Sequence, residues 1–272
     1  MDCIASYSSA RMHELRGEEL LAALEAGEVR AAEPLGDGSW RVQAWVKAAI
    51  LELFRTRGAA EVGRERELWP FVDKFGVRGF SGSDGIRLVP GGSSVRRGAF
   101  VARGCILMPP CYVNVGAYVG EGTMIDSHAL VGSCAQIGAR AHVSAGAQIG
   151  GVLEPAGARP VIVEDEVLVG GQCGLYEGVL VRKRAVLGAG VILTASTHVF
   201  DLVNERELRG TAEEPLEIPA GAVVVPGSRP VGPQRPYDQW PQHHHLHVAC
   251  ALIAKYRDER TEARVALEEA LR

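Results

Sequence analysis

A parallel β-helix with a small helical N-terminal domain is the fold class that this 272-residue sequence predicts. The main observation is a period of six, at which aliphatic residues recur from Val89 to Ile149 and again from Val163 to Leu193. A period of six fits neither an α-helix nor a two-faced strand, but it fits a solenoid with one short strand and one turn per unit. The series is Val89, Val95, Val101, Leu107, Val113, Val119, Ile125, Val131, Ile137, Val143 and Ile149, then Val163, Val169, Leu175, Val181, Leu187 and Leu193.

Composition is the second observation that predicts this fold. The chain has 33 glycines and only 6% aromatic residues, which disfavours a sandwich core and suits a tightly turned architecture. Three six-residue units close one triangular coil whose interior is filled by the aliphatic residues. Glycine follows the aliphatic residue where little space is left at a corner; such glycines are Gly120, Gly132, Gly138, Gly150, Gly170 and Gly188.

The first 85 residues form the predicted N-terminal helical domain. Residues 14–27 place Leu15, Leu20, Leu21 and Leu24 on one side of a helix that Gly27 ends. Residues 36–39 predict a turn, residues 43–55 predict a second amphipathic helix, and residues 80–85 predict a linker.

The predicted β-helix covers residues 86–226, and residues 227–272 form a C-terminal extension. Two breaks in the period, at 150–160 and 196–219, predict loop insertions, which in solenoids project from one face and often carry function. The extension begins within a proline-rich stretch at 226–241, and its tail from 247 to 271 predicts a short strand and a charged helix.

Charge and hydropathy exclude several classes of protein. The net charge of −4 and pI near 6.1 predict no basic face for nucleic acid. There is no run of about 18 apolar residues to span a membrane, and the start lacks the apolar core of a signal peptide. The six cysteines lack the spacing of a metal site, so reduced thiols and a cytoplasmic location are expected.

Four stretches of the coil carry a resemblance to a known family. They read NVGAYV at 114–119, EGTMID at 121–126, VGSCAQIG at 131–138 and GGVLEP at 150–155. With weaker matches at 45–55, 87–90 and 250–255, they make the chain resemble the tetrahydrodipicolinate N-succinyltransferases from about residue 40 onward.

The resemblance implies a left-handed coil and a reaction. Succinyl-CoA, the co-substrate, gives its succinyl group to the amine of ring-opened tetrahydrodipicolinate, in the diaminopimelate route to lysine. No metal and no permanently bound cofactor is implied. The resemblance also implies a homotrimer with active sites in the clefts between neighbouring subunits.

Three residues are candidates for substrate binding or catalysis: two match substrate-binding positions of this family, and one matches the second glutamate of a family motif whose first glutamate is usually assigned a catalytic role. Asp126 matches the acidic substrate-binding position, where a carboxylate orients the attacking amine and helps to remove its proton; a turn aspartate that bonds local backbone is the competing interpretation. Arg87 matches an arginine that binds a substrate carboxylate, since guanidinium pairs bidentately with carboxylate; a surface ion pair is the competing interpretation. Glu177 is the third residue.

The surroundings of Glu177 depart from the family. Many members read Arg-Ser-Glu-x-x-Glu-Gly where this chain reads QCGLYEG at 172–178, so Gly174 replaces the first glutamate. Either Glu177 takes over its task or Asp126 suffices. Counting sixes places Ile125 and Leu175 on different faces of the coil, so any joint role of Asp126 and Glu177 requires neighbouring chains.

The CoA site is predicted from glycines and cations. Backbone groups near Gly171, Gly188 and Ala189 are expected to pair with the pantetheine amides, because small residues allow close approach. Lys183 and Lys255, together with Arg182 and Arg184, are candidates for the CoA phosphates; solvated surface charge is the competing interpretation for each.

Several histidines are the basis of alternative hypotheses about the chemistry of the chain. His128, His142 and His198 are candidate general bases of the kind used by other hexapeptide acyltransferases, and His142 aligns with a family histidine. A γ-type carbonic anhydrase needs three histidines around zinc, which His128 and His142 do not present. The segment from His243 to His247 predicts an exposed loop. An acetyl-CoA-dependent enzyme of the same fold and a non-catalytic scaffold are two further hypotheses for the chain.

Overall fold

The chain winds into a three-sided coil, as the period of six predicts. The computed structural model describes residues 13–62, 71–211, 213–232 and 240–258. Residues 18 apart pair in parallel, as Val101 does with Val119 and Val119 with Ile137, so three six-residue units complete one coil. The predicted parallel β-helix is confirmed.

Each side of the coil is one sheet, which we number in chain order. Face 1 begins with β5 (Arg87–Leu88), face 2 with β6 (Ser94–Val95) and face 3 with β7 (Phe100–Val101). Face 1 continues with β8 (Ile106–Leu107), β11 (Met124–Ile125), β14 (His142–Val143), β17 (Leu168–Val169) and β20 (Val186–Leu187). Face 2 continues with β9 (Tyr112–Val113), β12 (Leu130–Val131), β15 (Gln148–Ile149), β18 (Gly174–Leu175) and β21 (Ile192–Leu193). Face 3 continues with β10 (Tyr118–Val119), β13 (Gln136–Ile137), β16 (Ile162–Val163), β19 (Leu180–Val181) and β24 (Glu217–Ile218).

From β6 onward, the second residue of each of these strands points into the coil. From Val95 to Leu193, every member of the predicted aliphatic series is at most 3% exposed, and together they form one continuous core. Burying each such side chain contributes roughly 1.5–3 kcal/mol before entropy is subtracted. The aliphatic residues at every sixth position are therefore the ones that fill the interior of the coil.

Val89, the first member of the predicted series, is the exception. Leu88 rather than Val89 pairs with Leu107, so the register of β5 is shifted by one residue. In the regular register residue 90 would donate to the Leu107 carbonyl, but Pro90 has no N–H. Val89 donates that hydrogen bond instead, at 3.1 Å, and lies only partly buried.

Both predicted insertions leave the coil at the same edge. We call the three edges 1–2, 2–3 and 3–1 after the faces that they join. Ile137 pairs with Val163, 26 residues away instead of 18, so the first insertion adds eight residues between β15 and β16. The second lies between β21 and β24. Edge 2–3 therefore carries both.

The N-terminal region contains the two predicted helices. Helix α1 (Gly17–Ala26) ends where Gly27 adopts a left-handed conformation with φ of 75°, and α2 spans Ala44–Thr56. The predicted turn connects β1 (Ala32–Pro34) with β2 (Trp40–Val42), and a second hairpin pairs β3 (Ala60–Val62) with β4 (Phe71–Asp73). A short 3₁₀ helix, Gly82–Asp84, precedes β5. The domain boundary at residue 85 stays a prediction.

The two helices pack on edge 2–3 of the coil. Leu20, Leu21 and Ile50 form a second hydrophobic cluster with Val115 and Cys134, which belong to turns of the coil. A substituent on Gly98 would contact Leu21, and one on Gly116 would contact Ile50, both within 3 Å. The helical region is thus pressed against the edge that carries the insertions.

The C-terminal region extends face 1. Strand β25 (Ala222–Pro230) pairs with β20 and with the antiparallel β26 (His247–Tyr256), confirming the predicted strand in the tail. Within the second insertion, β22 (Val199–Asp201) and β23 (Arg206–Leu208) form a hairpin beside β26, and α3 (Trp240–His243) lies between the long strands. The predicted tail helix lies outside the described residues. No helix within the described residues has the length and hydropathy to cross a membrane.

Asp201 anchors the β22–β23 hairpin, and its charge is predicted to stabilise the fold. It is 1% exposed and accepts hydrogen bonds from Asn204, Tyr256 and Arg206. Burial by itself raises its pKa, but these hydrogen bonds outweigh burial and lower the pKa from 3.8 to about 2. This difference corresponds to roughly 2 kcal/mol of stability, present above the unfolded pKa and lost as pH falls toward the folded pKa.

We therefore expect Asp201→Asn to lower the free energy of unfolding by about 2 kcal/mol at neutral pH. The difference between variant and wild type should shrink as the pH falls toward the folded pKa, because the wild-type carboxyl becomes protonated more readily in the unfolded chain. Urea unfolding of both proteins at several pH values measures this. A difference that stays constant with pH would contradict the role of the charge.

Candidate functional site

Edge 1–2 brings together several residues that the sequence singled out. Asp126, Ser144, Gly170 and Gly188 directly follow inward-facing residues of face 1 in four successive coils. The Asp126 amide donates to Val143 in the next coil, and Ser144 and Gly170 donate in the same way further along. With about 4.8 Å between strands, Gly170 lies roughly 10 Å along the edge from Asp126.

The Asp126 carboxylate lies beside an imidazole. One oxygen, Oδ1, accepts the Ser127 amide at 2.7 Å, and Oδ2 lies 3.5 Å from Nε2 of His142. Met124 and His142 pair across β11 and β14 on the outer surface of face 1. A carboxylate next to an imidazole can accept a proton from an amine bound at this edge. The sequence identified both residues but did not predict their contact.

Arg87 lies on the same outer surface. It pairs with Ile106, which pairs with Met124, so Arg87 lies two strands from Met124. Its side chain is exposed. The fold therefore places the predicted carboxylate-binding arginine on the face that ends at Asp126.

The predicted pantetheine residues lie further along edge 1–2. No described residue accepts a hydrogen bond from the backbone N–H of Gly171 or of Ala189. The Gly171 carbonyl, in contrast, accepts the Gly190 amide at 2.9 Å. A substituent on Gly170 would lie 2.5 Å from the Leu187 carbonyl oxygen, so packing of the coil itself also requires glycine there.

The predicted phosphate-binding lysines are not placed together. Lys183 lies at edge 3–1, beside a shallow cavity of about 320 Å³ that Arg184 and Arg257 also line. Lys255 belongs to β26, two strands beyond β20 in the face 1 sheet, and its Nζ lies 2.7 Å from Asp258. Of the two, only Lys255 shares a face with Asp126.

A groove of about 1410 Å³ lies at edge 2–3, between the two insertions. Glu177 lies on its wall with φ of 53°, and one carboxylate oxygen accepts the Ala195 amide at 2.9 Å. Within one chain Asp126 and Glu177 therefore lie on different edges, as the count of repeats predicts. The groove is lined by Trp40, Val42, Gly150, Gly151, Val152, Glu154, Pro155, Gly157, Ala158, Arg159, Tyr176, Glu177, Thr194, Ala195, Glu207, Leu208, Arg209, Thr211, Glu213, Glu214, Pro215 and Glu217.

Two cations, Arg159 with a partly buried side chain and Lys47 with a buried one, bond to backbone carbonyls in the walls of this groove. Arg159, from the first insertion, pairs with Glu217 at 2.6 Å and donates to the Gly178 and Pro215 carbonyls. Lys47 is fully buried in α2, and its ammonium donates to the Ala158 carbonyl at 2.7 Å; burial lowers its pKa. Sequence reasoning missed both, since the only signal was a charged residue in an apolar helix face or in a loop.

Tyr176 explains why residue 174 is glycine. A Cβ on Gly174 would lie 2.5 Å from Cε2 of the Tyr176 ring and 2.9 Å from its hydroxyl oxygen. A Cβ on Gly150 would lie 2.8 Å from Cδ1 of the same ring. The ring therefore lies in a slot between two glycines, and a side chain at residue 174 would have to displace it.

The remaining histidines do not assemble into one site. His128 is exposed at edge 1–2. His198 contacts Glu207 through Nδ1 and Arg229 through Nε2, while His244, His245 and His247 are exposed. No group of three metal-binding side chains occurs in the part of the chain that the structure describes.

Family models match two parts of the chain. A model of the N-terminal region of tetrahydrodipicolinate N-succinyltransferase matches residues 12–56, and a model of the hexapeptide repeat of succinyltransferases matches residues 160–195. A solved structure described as a 2,3,4,5-tetrahydropyridine-2-carboxylate N-succinyltransferase from Campylobacter jejuni shares the fold, with a TM-score of 0.54 at 17% identity. That match covers 95% of this chain but only 64% of the other.

Curated relatives match over nearly the whole length. The 2,3,4,5-tetrahydropyridine-2,6-dicarboxylate N-succinyltransferase of Afipia carboxidovorans is 42% identical and that of Nitrobacter hamburgensis 44%, each over 100% of this chain and 95% of the relative. Protein TabB of Pseudomonas amygdali pv. tabaci is 47% identical over 93% of this chain and 87% of the relative.

The coil, its hexapeptide repeat and these relatives define a CoA-dependent acyltransferase of the hexapeptide-repeat class. Within that class, the chain belongs to the tetrahydrodipicolinate N-succinyltransferase family. The predicted family and enzyme class are confirmed.

Proposed function

We propose that the protein transfers the succinyl group of succinyl-CoA to the amine of ring-opened tetrahydrodipicolinate, giving N-succinyl-2-amino-6-oxopimelate and CoA. The observation that carries this proposal is edge 1–2, where a carboxylate–imidazole pair is followed, in further coils, by backbone amides that have no acceptor among the described residues. Both substrates of an acyl transfer from CoA have a binding surface there.

In the proposed mechanism, Asp126 and His142 act on the acceptor amine. The amine nitrogen attacks the thioester carbonyl, a C–N bond forms, and the C–S bond breaks to release CoA as its thiol. The Asp126–His142 pair, with 3.5 Å between Oδ2 and Nε2, receives the proton that the amine loses and returns it to the departing sulfur. Arg87, exposed on the same face, holds a carboxylate of the acceptor.

CoA is proposed to lie along edge 1–2 beyond Asp126. The amides of Gly171 and Ala189 are positioned to donate to the pantetheine arm, because no described residue uses them. Gly188, directly before Ala189, adds no side chain to the edge, and Lys255 supplies a cation from β26, two strands beyond β20. Lys183, at another edge, reaches a CoA phosphate only if the nucleotide crosses to edge 3–1 or belongs to a neighbouring subunit.

A homotrimer is part of the proposal. Asp126 and Glu177 lie on different edges of one coil, so they face a common substrate only when two chains lie side by side. Edge 1–2 of one subunit would then close the edge 2–3 groove of the next. We further propose a cytoplasmic enzyme without a permanently bound cofactor.

The test is a CoA-release assay on purified protein with the acceptor and either succinyl-CoA or acetyl-CoA. We expect kcat/KM to be at least roughly tenfold higher with succinyl-CoA. Omitting the acceptor provides the control for thioester hydrolysis. Faster turnover with acetyl-CoA would contradict the proposal and favour an acetyltransferase, and sedimentation showing a monomer at assay concentrations would contradict the shared site.

A further inference from the structure

Tyr176 lines the edge 2–3 groove and does not belong to the packed interior of the coil. It directly follows the inward-facing Leu175 and lies half-buried, with one edge of its ring against Gly174 and the opposite edge against Gly150. The absence of side chains on these two glycines leaves the space that the ring occupies. The slot therefore fixes where the phenol presents its hydroxyl.

The Tyr176 hydroxyl has no partner within the described part of the chain. Tyrosine hydroxyls that are partly buried ordinarily find a hydrogen-bond partner. The phenol lines the groove beside the Glu177 carboxylate, whose Oε2 is already bonded to the Ala195 amide. A polar group held in place by a tailored slot and left unpaired is suited to a ligand.

The negative charge of the groove indicates which group of a ligand this hydroxyl would bind. Of the six glutamates that line it, Glu207 pairs with Arg209 and Glu217 pairs with Arg159, while Glu177, like Glu154, Glu213 and Glu214, forms no ion pair with any described residue. An oxygen of a ligand placed next to Glu177 is repelled by the carboxylate. A neutral O–H can donate a hydrogen bond to that oxygen without needing a charge of its own.

We propose that Tyr176 is a specificity-determining residue that donates a hydrogen bond from its hydroxyl to a carboxylate or keto oxygen of the amine acceptor. This inference rests on the proposed function, because it places the acceptor against the edge 2–3 groove of a neighbouring subunit. The ring also limits the width of the acceptor, since it fills the wall that Gly174 leaves open.

Tyr176→Phe removes the hydroxyl and keeps the ring in its slot. We expect KM for the acceptor to rise about tenfold, the range of one hydrogen bond to a charged group, while KM for succinyl-CoA and the melting temperature stay close to the wild-type values. Tyr112→Phe is the matched control, because Tyr112 lies outside the groove on the same face, in β9. An unchanged KM for the acceptor, or a raised KM for succinyl-CoA, would overturn the inference.

Gly174→Ala tests the slot independently. Its Cβ would meet the phenol at 2.5 Å and displace it, so KM for the acceptor should rise as in Tyr176→Phe. The double variant should then be no worse than the more impaired single variant, because both changes act through the position of one hydroxyl. Additive losses would contradict a shared cause.

A binding measurement separates this inference from the proposed function. Calorimetry with pimelate, a seven-carbon dicarboxylate without the amine, compares wild type with Tyr176→Phe. If the wild type releases no CoA, the proposed function is wrong, and weaker binding of pimelate by the variant still supports the role of Tyr176. Equal affinities, or no binding to either protein, would refute that role even in an active enzyme.

Discussion

Asp126→Asn is expected to lower kcat for succinyl transfer by at least about 100-fold, the lower range for loss of a positioned general base. The amide keeps the shape of the carboxylate, and its carbonyl oxygen can still accept the Ser127 amide that Asp126 Oδ1 binds at 2.7 Å. What it loses is the negative charge beside Nε2 of His142. Steady-state CoA release at saturating concentrations of both substrates measures the effect.

The matched control is Asp165→Asn. The Asp165 carboxylate also accepts a backbone amide at a corner of the coil, from Ala139 at 2.7 Å, but it lies at edge 3–1, away from the proposed site. This variant should keep kcat within about threefold of wild type, since the charge it loses does not face the acceptor. Equal losses of kcat in the two variants, or a wild-type kcat in Asp126→Asn, would show that Asp126 does not act in the mechanism.

Gly120→Ala is expected to cost about 3 kcal/mol of stability, at the upper end for overpacking. Its Cβ would lie 2.5 Å from the Gly138 carbonyl carbon and 2.6 Å from the Ala139 nitrogen. These are backbone atoms of the next coil, so a change of side-chain rotamer cannot relieve the contact. Relief requires two coils to separate, which weakens the parallel pairing of β10 with β13.

Gly58→Ala is the control for this second prediction. No described atom lies within 4 Å of a Cβ at Gly58, and its φ is not left-handed. Alanine there should leave the free energy of unfolding unchanged or slightly raised. Urea unfolding at matched protein concentration compares the two variants with wild type. A Gly120→Ala protein as stable as Gly58→Ala would show that the coils are not packed as tightly as the geometry indicates.

The coil was predictable because one physical constraint acts on every sixth residue. An inward-facing position admits only an aliphatic side chain, and the interior of a triangular coil repeats without interruption from Val95 to Ile149. The same count assigned Asp126 and Glu177 to different edges. Where a local rule overrides the repeat, the count fails: Pro90 cannot donate a hydrogen bond, so the register at Val89 shifts by one residue.

The candidate site was predictable only in part. The family resemblance identified Asp126, Arg87 and the glycines, and the six-residue period explains why most of them share one edge. Lys47 and Arg159 could not be assigned, since most of their partners are backbone carbonyls brought close by loops of irregular length. Lys183 was grouped with Lys255 by charge alone, although the fold places them at different edges.

By itself the sequence determined the architecture, the buried series from Val95 onward and the family. Only the tertiary structure decided that both insertions meet at edge 2–3 to form a groove, that His142 lies beside Asp126, and that Tyr176 fills the space over Gly174. The physical reason is the range of the forces involved. A repeating core is specified by local pattern, whereas a groove or an imidazole–carboxylate contact depends on how residues of distant coils and loops are brought together in space.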